Sequence, residues 1–228
     1  IGAAKVSLKG INLNDFTGIA GASLTNTHEV EKVTESLAEG GEDRVDFTPT
    51  QDAKYNVKVT GFYQPDIFAS VEYQYKTHLL IPQACFKEDL QDDRVCTVEG
   101  AKTFFVSGAP ITVTAVQESA AGKGIMLLKI TAENVGGGKV ALPTSDFDSR
   151  SLGGQLSFKM ITSPEKWECR SSGNEGESRL VDGKATITCK LKESLPKGDL
   201  YTQQVELELG YKYQSLIQQT IKIAESSR

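Results

Sequence analysis

Hydrophobic and polar positions alternate most clearly in Ile111-Thr-Val113-Thr-Ala115-Val116 and in Ile125-Met-Leu-Leu-Lys-Ile130, where aliphatic and β-branched residues recur with a period of two. That period sends successive side chains to opposite faces of a pleated chain, so both segments are expected as strands. Between them, Glu118–Gly124 is small, polar and glycine-containing, which suits a loop joining two antiparallel strands. Pro110 lacks an amide donor and fits the first position of a strand or a sheet edge. Asn134-Val-Gly-Gly-Gly138 supplies the positive-φ freedom of a sharp exit. The whole reads as a hairpin or arch that opens an immunoglobulin-like sandwich.

The same alternation recurs along the rest of the chain. Residues 4–13 set Val6, Leu8 and then Ile11 against Lys5, Ser7 and Lys9, a terminal strand. One short helix is expected next: Asn26 caps it with Glu29 three residues on, Val30, Val33 and Leu37 share a face, and Gly40-Gly41 stops it. Strands return at Val45 and Phe47, at Tyr55–Val59, and over Ile67–Ile81 with Val71, Tyr73 and Tyr75 on one face. Further strands are expected near residues 153–161, 185–191, 203–213 and 216–223. Val71-Glu-Tyr-Gln-Tyr-Lys-Thr77 also aligns with Leu209-Gly-Tyr-Lys-Tyr-Gln-Ser215 at an offset of 138, which suggests an internal repeat. The expected fold class is therefore all-β. Two immunoglobulin-like β-sandwich domains stand in tandem, residues 1–105 and 106–228, with the one short helix in the first.

Composition narrows the role. A hydrophobic share of 39% and a charged share of 24% are those of a globular chain that can bury a core. The formal charge of −5 is spread along the chain without a Lys/Arg cluster, so no nucleic-acid partner is expected. No apolar run approaches the roughly 20 residues that span a bilayer, so no membrane span is expected in the mature chain. A start at Ile1 and not Met is read as a processed, mature amino terminus.

The four cysteines, Cys85, Cys96, Cys169 and Cys189, lie 11 and 20 residues apart within their pairs, unlike the C-x-x-C spacing of structural zinc sites. Three disulfide pairings are open, and four reduced thiols are the bland alternative. The local pairing, Cys85 with Cys96 and Cys169 with Cys189, is the simplest, and it implies an oxidising, extracellular compartment. Trp167, two residues before Cys169, is placed to pack over the second bridge.

Candidate chemistry is sparse. His28 and His78 lack ligand partners at metal-binding spacing. No G-x-S-x-G elbow, phosphate loop or H-E-x-x-H motif occurs, so no enzyme, cofactor or catalytic residue is expected. Glu88-Asp89, Asp92-Asp93 and Asp146-x-Asp148 offer hard oxygens but not the spacing of a calcium loop, and are read as solvated carboxylates, with no metal site assigned. No N-x-S/T acceptor is present.

At Ala109-Pro-Ile-Thr-Val, Asn134-Val-Gly-Gly-Gly and Tyr201-Thr with Tyr211-x-Tyr213, the second half resembles secreted immunoglobulin-like β-sandwich proteins of unassigned function from small-celled archaea. The likeness extends to paired cysteines, one pair between the closing strands, and covers roughly residues 65–228. It implies fold and surface location only. The expected role is a structural subunit of an extracellular cell-surface filament, pilus-like or sheath-like, whose partners are copies of itself. Val6, Leu8 and Ile11 would form a donor strand for the next subunit's sheet. The alternatives are pairing of that strand within its own chain, and a monomeric secreted or surface-anchored adhesin or ligand-binding module, with another cell surface as partner.

Overall fold

The computed structural model describes residues 3–28, 30–31, 41–147 and 153–225. Its strands begin with β1 (Lys5–Lys9), β2 (Phe16–Thr17), β3 (Ser23–Thr25), β4 (Lys54–Tyr55), β5 (Phe62–Tyr63) and the long β6 (Asp66–Lys87). They continue with β7 (Gly100–Ala101), β8 (Phe105–Val106), β9 (Ile111–Gly122), β10 (Ile125–Asn134), β11 (Lys139–Ala141) and β12 (Gln155–Met160). The last are β13 (Trp167–Ser171), β14 (Asn174–Glu175), β15 (Glu177–Arg179), β16 (Lys184–Leu191), the long β17 (Leu200–Thr220) and β18 (Ile223–Ala224). The fold is all-β and built of antiparallel sheets. No helix among the described residues reaches seven residues, and none is long and apolar enough to cross a membrane. The helix expected over Val30–Leu37 falls, beyond Val30 and Glu31, outside the described residues.

Two compact units are nested in sequence: Ile1–Gln74 with Tyr213–Arg228 (unit 1), and Tyr75–Lys212 (unit 2). The divisions fall inside β6 and β17, not at the 105/106 junction expected from the sequence. The reason is local: neither Ile67–Ile81 nor Gln203–Thr220 contains a proline, and the one glycine, Gly210, stays in the strand, so nothing ends these strands early.

Unit 2 holds the hydrophobic core. One of its sheets runs β15-β12-β17-β6, with β8 on β6 and β11 on β17; the other runs β14-β13-β16-β10-β9-β7. Alternation explains which residues go inside: Met126, Leu128, Ile130 and Ala132 of β10 are all at 0% exposure, as are Ile187 and Cys189 of β16. Leu156, Leu207 and Leu209 close the core from the first sheet. The β9–β10 hairpin is longer than its loop-like sequence suggests, since Glu118–Gly122 continue the strand and pair with Ile125–Leu128. Its turn is Lys123-Gly124, and Gly124 sits at φ +67° with Ser194 Oγ where a Cβ would lie.

Unit 1 is built differently. Its sheet runs β17-β6-β1-β3, and two small ribbons pair β2 with β4 and β5 with β18. The strand expected around Val45 and Phe47 is irregular, and the one expected over Tyr55–Val59 shrinks to Lys54–Tyr55. Among its described residues the buried ones are Ser7, Pro65, Ser70 and Tyr213; no aliphatic side chain is buried.

A candidate assembly site in unit 1

β1 forms because Lys5–Lys9 alternate, and it is held on both edges by its own chain. Lys5–Lys9 pair antiparallel with Glu72–Phe68 of β6, and Lys5–Ser7 with Thr25–Ser23 of β3. The strand ends at Gly10, where φ is +86° and an added Cβ would strike the Asp66 carbonyl oxygen, so only glycine turns the chain here without strain.

The burial of β1 reverses the sequence expectation. Val6 and Leu8 are half-buried, while Ser7 is the buried residue of the strand, its hydroxyl 2.7 Å from that of Ser23. Ser7 lies opposite Ser70, which is itself buried, so a row of three serines crosses β3, β1 and β6 on one face. Small hydroxyl side chains bury little apolar area, so the backbone ladders carry much of the hold on β1.

On the other face Leu8 and Ile11 help to line a cavity of about 450 Å³, with Phe16, Phe47, Ile67 and Ile223 among its walls. An aromatic series stiffens one side, Phe16 lying 5.0 Å from Tyr55 and Tyr55 stacking on Tyr63 at 5.8 Å. Desolvation, with smaller effects from Asp15 and Tyr63, raises the Tyr55 hydroxyl above its ordinary pKa. Lys222 also borders the cavity, its ammonium 5.0 Å from the centre of the Phe62 ring. Thus Leu8 and Ile11 share one hollow, while Val6 lies opposite Val71 of β6 and Leu24 of β3.

No family model, curated protein or solved structure matches this chain.

The cysteines form two bridges, Cys85–Cys96 and Cys169–Cys189. Cys169 and Cys189 are register partners on the neighbouring strands β13 and β16 of one sheet. Trp167 meets Phe86 edge-on at 6.0 Å, and Phe86 in turn stacks on Tyr201 at 5.2 Å.

Of the acidic stretches named from the sequence, Asp148 lies outside the described residues, and Glu88, Asp92, Asp93 and Asp146 each meet a separate cation. Glu88 pairs with Lys123 at 2.8 Å, Asp93 with the buried Lys87 at 2.7 Å, and Asp146 with Lys212 at 3.0 Å. Hydrogen bonding from Arg94 lowers Asp92 to about 2. His28 is exposed beside Asp43, and His78 lies 3.9 Å from Glu208. Among the described residues no group of three or more His, Cys, Asp or Glu side chains comes together.

One polar group escaped the sequence reading. Glu118, placed there in a loop, is 1% exposed, accepts the Cys85 amide at 3.0 Å and pairs with Lys102 at 2.7 Å. Burial raises its pKa, against the lowering effects of Lys102 and the Cys85 amide. No local signal marks it, because its partners lie 16 and 33 residues away.

Proposed function

We propose that this chain is a structural subunit of an extracellular cell-surface filament, pilus-like or sheath-like, whose subunits join by exchanging β1. The observation that carries the reading is the seating of β1: both edges paired in its own chain, its apolar residues only half-buried, and no buried aliphatic side chain among the described residues of the unit around it. The slot between β6 and β3 is identical in every copy, so a neighbour's β1 recovers the same ladders there. Exchange of an identical element is a low-cost route to association, and exchange that does not close on itself generates a fibre. Val6, Leu8 and Ile11 are the residues inserted.

Unit 2 is the rigid body in this reading, an immunoglobulin-like sandwich closed by two bridges that suit an oxidising compartment. Its second bridge joins strands of one sheet, whereas antibody domains bridge two sheets, so the proposed likeness does not extend to the disulfide.

The test is sedimentation of the intact chain and of a chain lacking residues 1–13, with and without a synthetic peptide of that segment. Strand exchange requires polymers from the intact chain, their loss on deletion, and binding of the peptide by the truncated chain. A particle near 24.7 kDa at every concentration would overturn it. That result would favour the second reading, a monomeric surface module. The cavity of about 450 Å³ then serves as its binding site, since small-molecule pockets span roughly 300–1,000 Å³.

A further inference from the structure

Unit 1 has an apolar interior that its own side chains do not fill. Leu8 of β1, Ile67 of β6, Ile223 of β18 and the loop residues Ile11, Ile19 and Ile221 line one hollow of about 450 Å³, and every one of them stays half-buried. In unit 2 the aliphatic residues of β10 meet those of the facing sheet and reach 0% exposure. Aliphatic side chains that converge without closing on one another leave apolar surface for something else to cover. Concave apolar surface of this volume is the usual setting of a small-molecule site.

The wall carries one charge among the described residues, and it is positive. Lys222 borders the hollow, its ammonium 5.0 Å from the centre of the Phe62 ring, and among the described residues no carboxylate pairs with it. Asp15, the carboxylate whose charge reaches Tyr55, is not on the wall and accepts a hydrogen bond from Asn12 Nδ2 at 3.0 Å. Lys222 and Phe62 are both exposed, Phe62 at 60%, so the charged part of the wall is the part that meets water. An anion held there keeps much of its hydration, while an apolar tail that enters the hollow leaves water for Leu8, Ile67 and Ile223. A cationic head would meet Lys222 as a like charge, and an uncharged head would gain nothing from it.

We infer that this hollow binds a single-chain amphiphile with an anionic head, the head at Lys222 and the alkyl tail among Leu8, Ile11, Ile67 and Ile223. The inference rests on the cavity that the second reading above takes as a binding site, and it holds for a filament subunit as well as for a monomer. Because Leu8 and Ile11 belong to the wall, a bound tail adds contacts that β1 gives up on leaving its own chain. By mass action the ligand therefore favours β1 in place.

Isothermal calorimetry on the intact chain tests this, with decanoate and decyl phosphate as anionic probes and decanol, decyltrimethylammonium and acetate as controls, all below micelle concentrations. One anionic probe binds per chain, at least about tenfold more tightly than decanol or decyltrimethylammonium, and acetate does not bind. Lys222→Met lowers the affinity for the anionic probes to that for decanol, with an unchanged circular dichroism spectrum. Ile67→Trp, which puts a larger side chain on the wall, weakens every probe alike. Hydrogen exchange of the β1 amides slows when decanoate is bound. An intact chain that binds neither anionic probe, one that binds them no more tightly than decanol or decyltrimethylammonium, or a Lys222→Met chain that binds them as the intact chain does would each overturn the inference. The second of these outcomes leaves the cavity a binding site, and so spares the reading on which the inference rests; sedimentation decides separately between filament and monomer.

Discussion

The hydroxyl of Tyr211 donates to Oγ1 of Thr77 across 3.0 Å in the interior of unit 2, where both residues are 0% exposed. Thr77 passes its own proton to the Ile111 carbonyl at 2.6 Å, and the Ile111 amide donates back to the Tyr211 oxygen at 3.3 Å. This closed ring ties β6 and β17 to the first residue of β9. Tyr211→Phe keeps the ring's shape and leaves the Ile111 amide without that acceptor. The expected loss is about 1–3 kcal/mol of unit 2 stability, read from denaturant unfolding.

Glu118 gives a pH dependence with a definite sign. Its folded pKa is raised, so the native state holds this proton more tightly than the unfolded chain. Its contribution to stability is full below the unfolded carboxylate value of about 4.3 and is lost as pH rises through the folded value. Glu118→Gln removes that titration while other carboxylates titrate alike in both proteins. The destabilisation caused by Glu118→Gln is therefore expected to be larger near pH 4 than near pH 7, in urea unfolding at the two values. A difference that grew with pH would contradict the assignment.

The two units should respond unequally to the same truncation. Leu128→Ala empties a site at 0% exposure and is expected to cost about 2–5 kcal/mol. Leu8→Ala removes a half-buried side chain from the wall of a cavity that already exists, and about 1 kcal/mol or less is expected. Native-state hydrogen exchange reports both: Leu128→Ala accelerates the β9, β10 and β16 amides, and Leu8→Ala those of β1 and β3.

Each disulfide closes a short loop, of 11 residues for Cys85–Cys96 and 20 for Cys169–Cys189. On the chain-entropy model, removing either pair as a double alanine variant costs about 3 kcal/mol. The first removal has a further effect. Lys87, 3% exposed at its side chain, bonds Asp93 and the Asp92 carbonyl within the loop that Cys85–Cys96 closes. Loosening that loop exposes an ammonium otherwise held out of water, so faster amine labelling of Lys87, followed by mass spectrometry, is expected in the Cys85/Cys96 variant alone.

Local chemistry made much of this protein legible from its sequence. Period-two alternation identified β1, β6, β9, β10, β12 and β16, because a strand with one dry face must repeat every second residue, while the two strands expected over 203–213 and 216–223 are joined in the single β17. The short separations of the cysteines made the two observed bridges the simplest pairing. Tertiary structure alone decided the rest. Tyr73-x-Tyr75 and Tyr211-x-Tyr213 read as a repeat between two domains, yet Tyr73 lies 5.8 Å from Tyr213 and Tyr75 lies 6.1 Å from Tyr211, on the adjacent strands β6 and β17. The two Tyr-x-Tyr segments face each other, and a linear sequence does not distinguish a facing pair from a duplication. Glu118 looked like a loop residue because its burial depends on Lys102 and the Cys85 amide, which no local pattern brings to it. The two units are nested, since strand propensity runs unbroken through Gln74-Tyr75 and Lys212-Tyr213 and only the packing on either side marks a boundary there. Alternation placed Val6 and Leu8 on the inner face of β1, but burial fell to Ser7, because which face of a strand is covered is settled by what packs on it and not by its hydrophobicity alone.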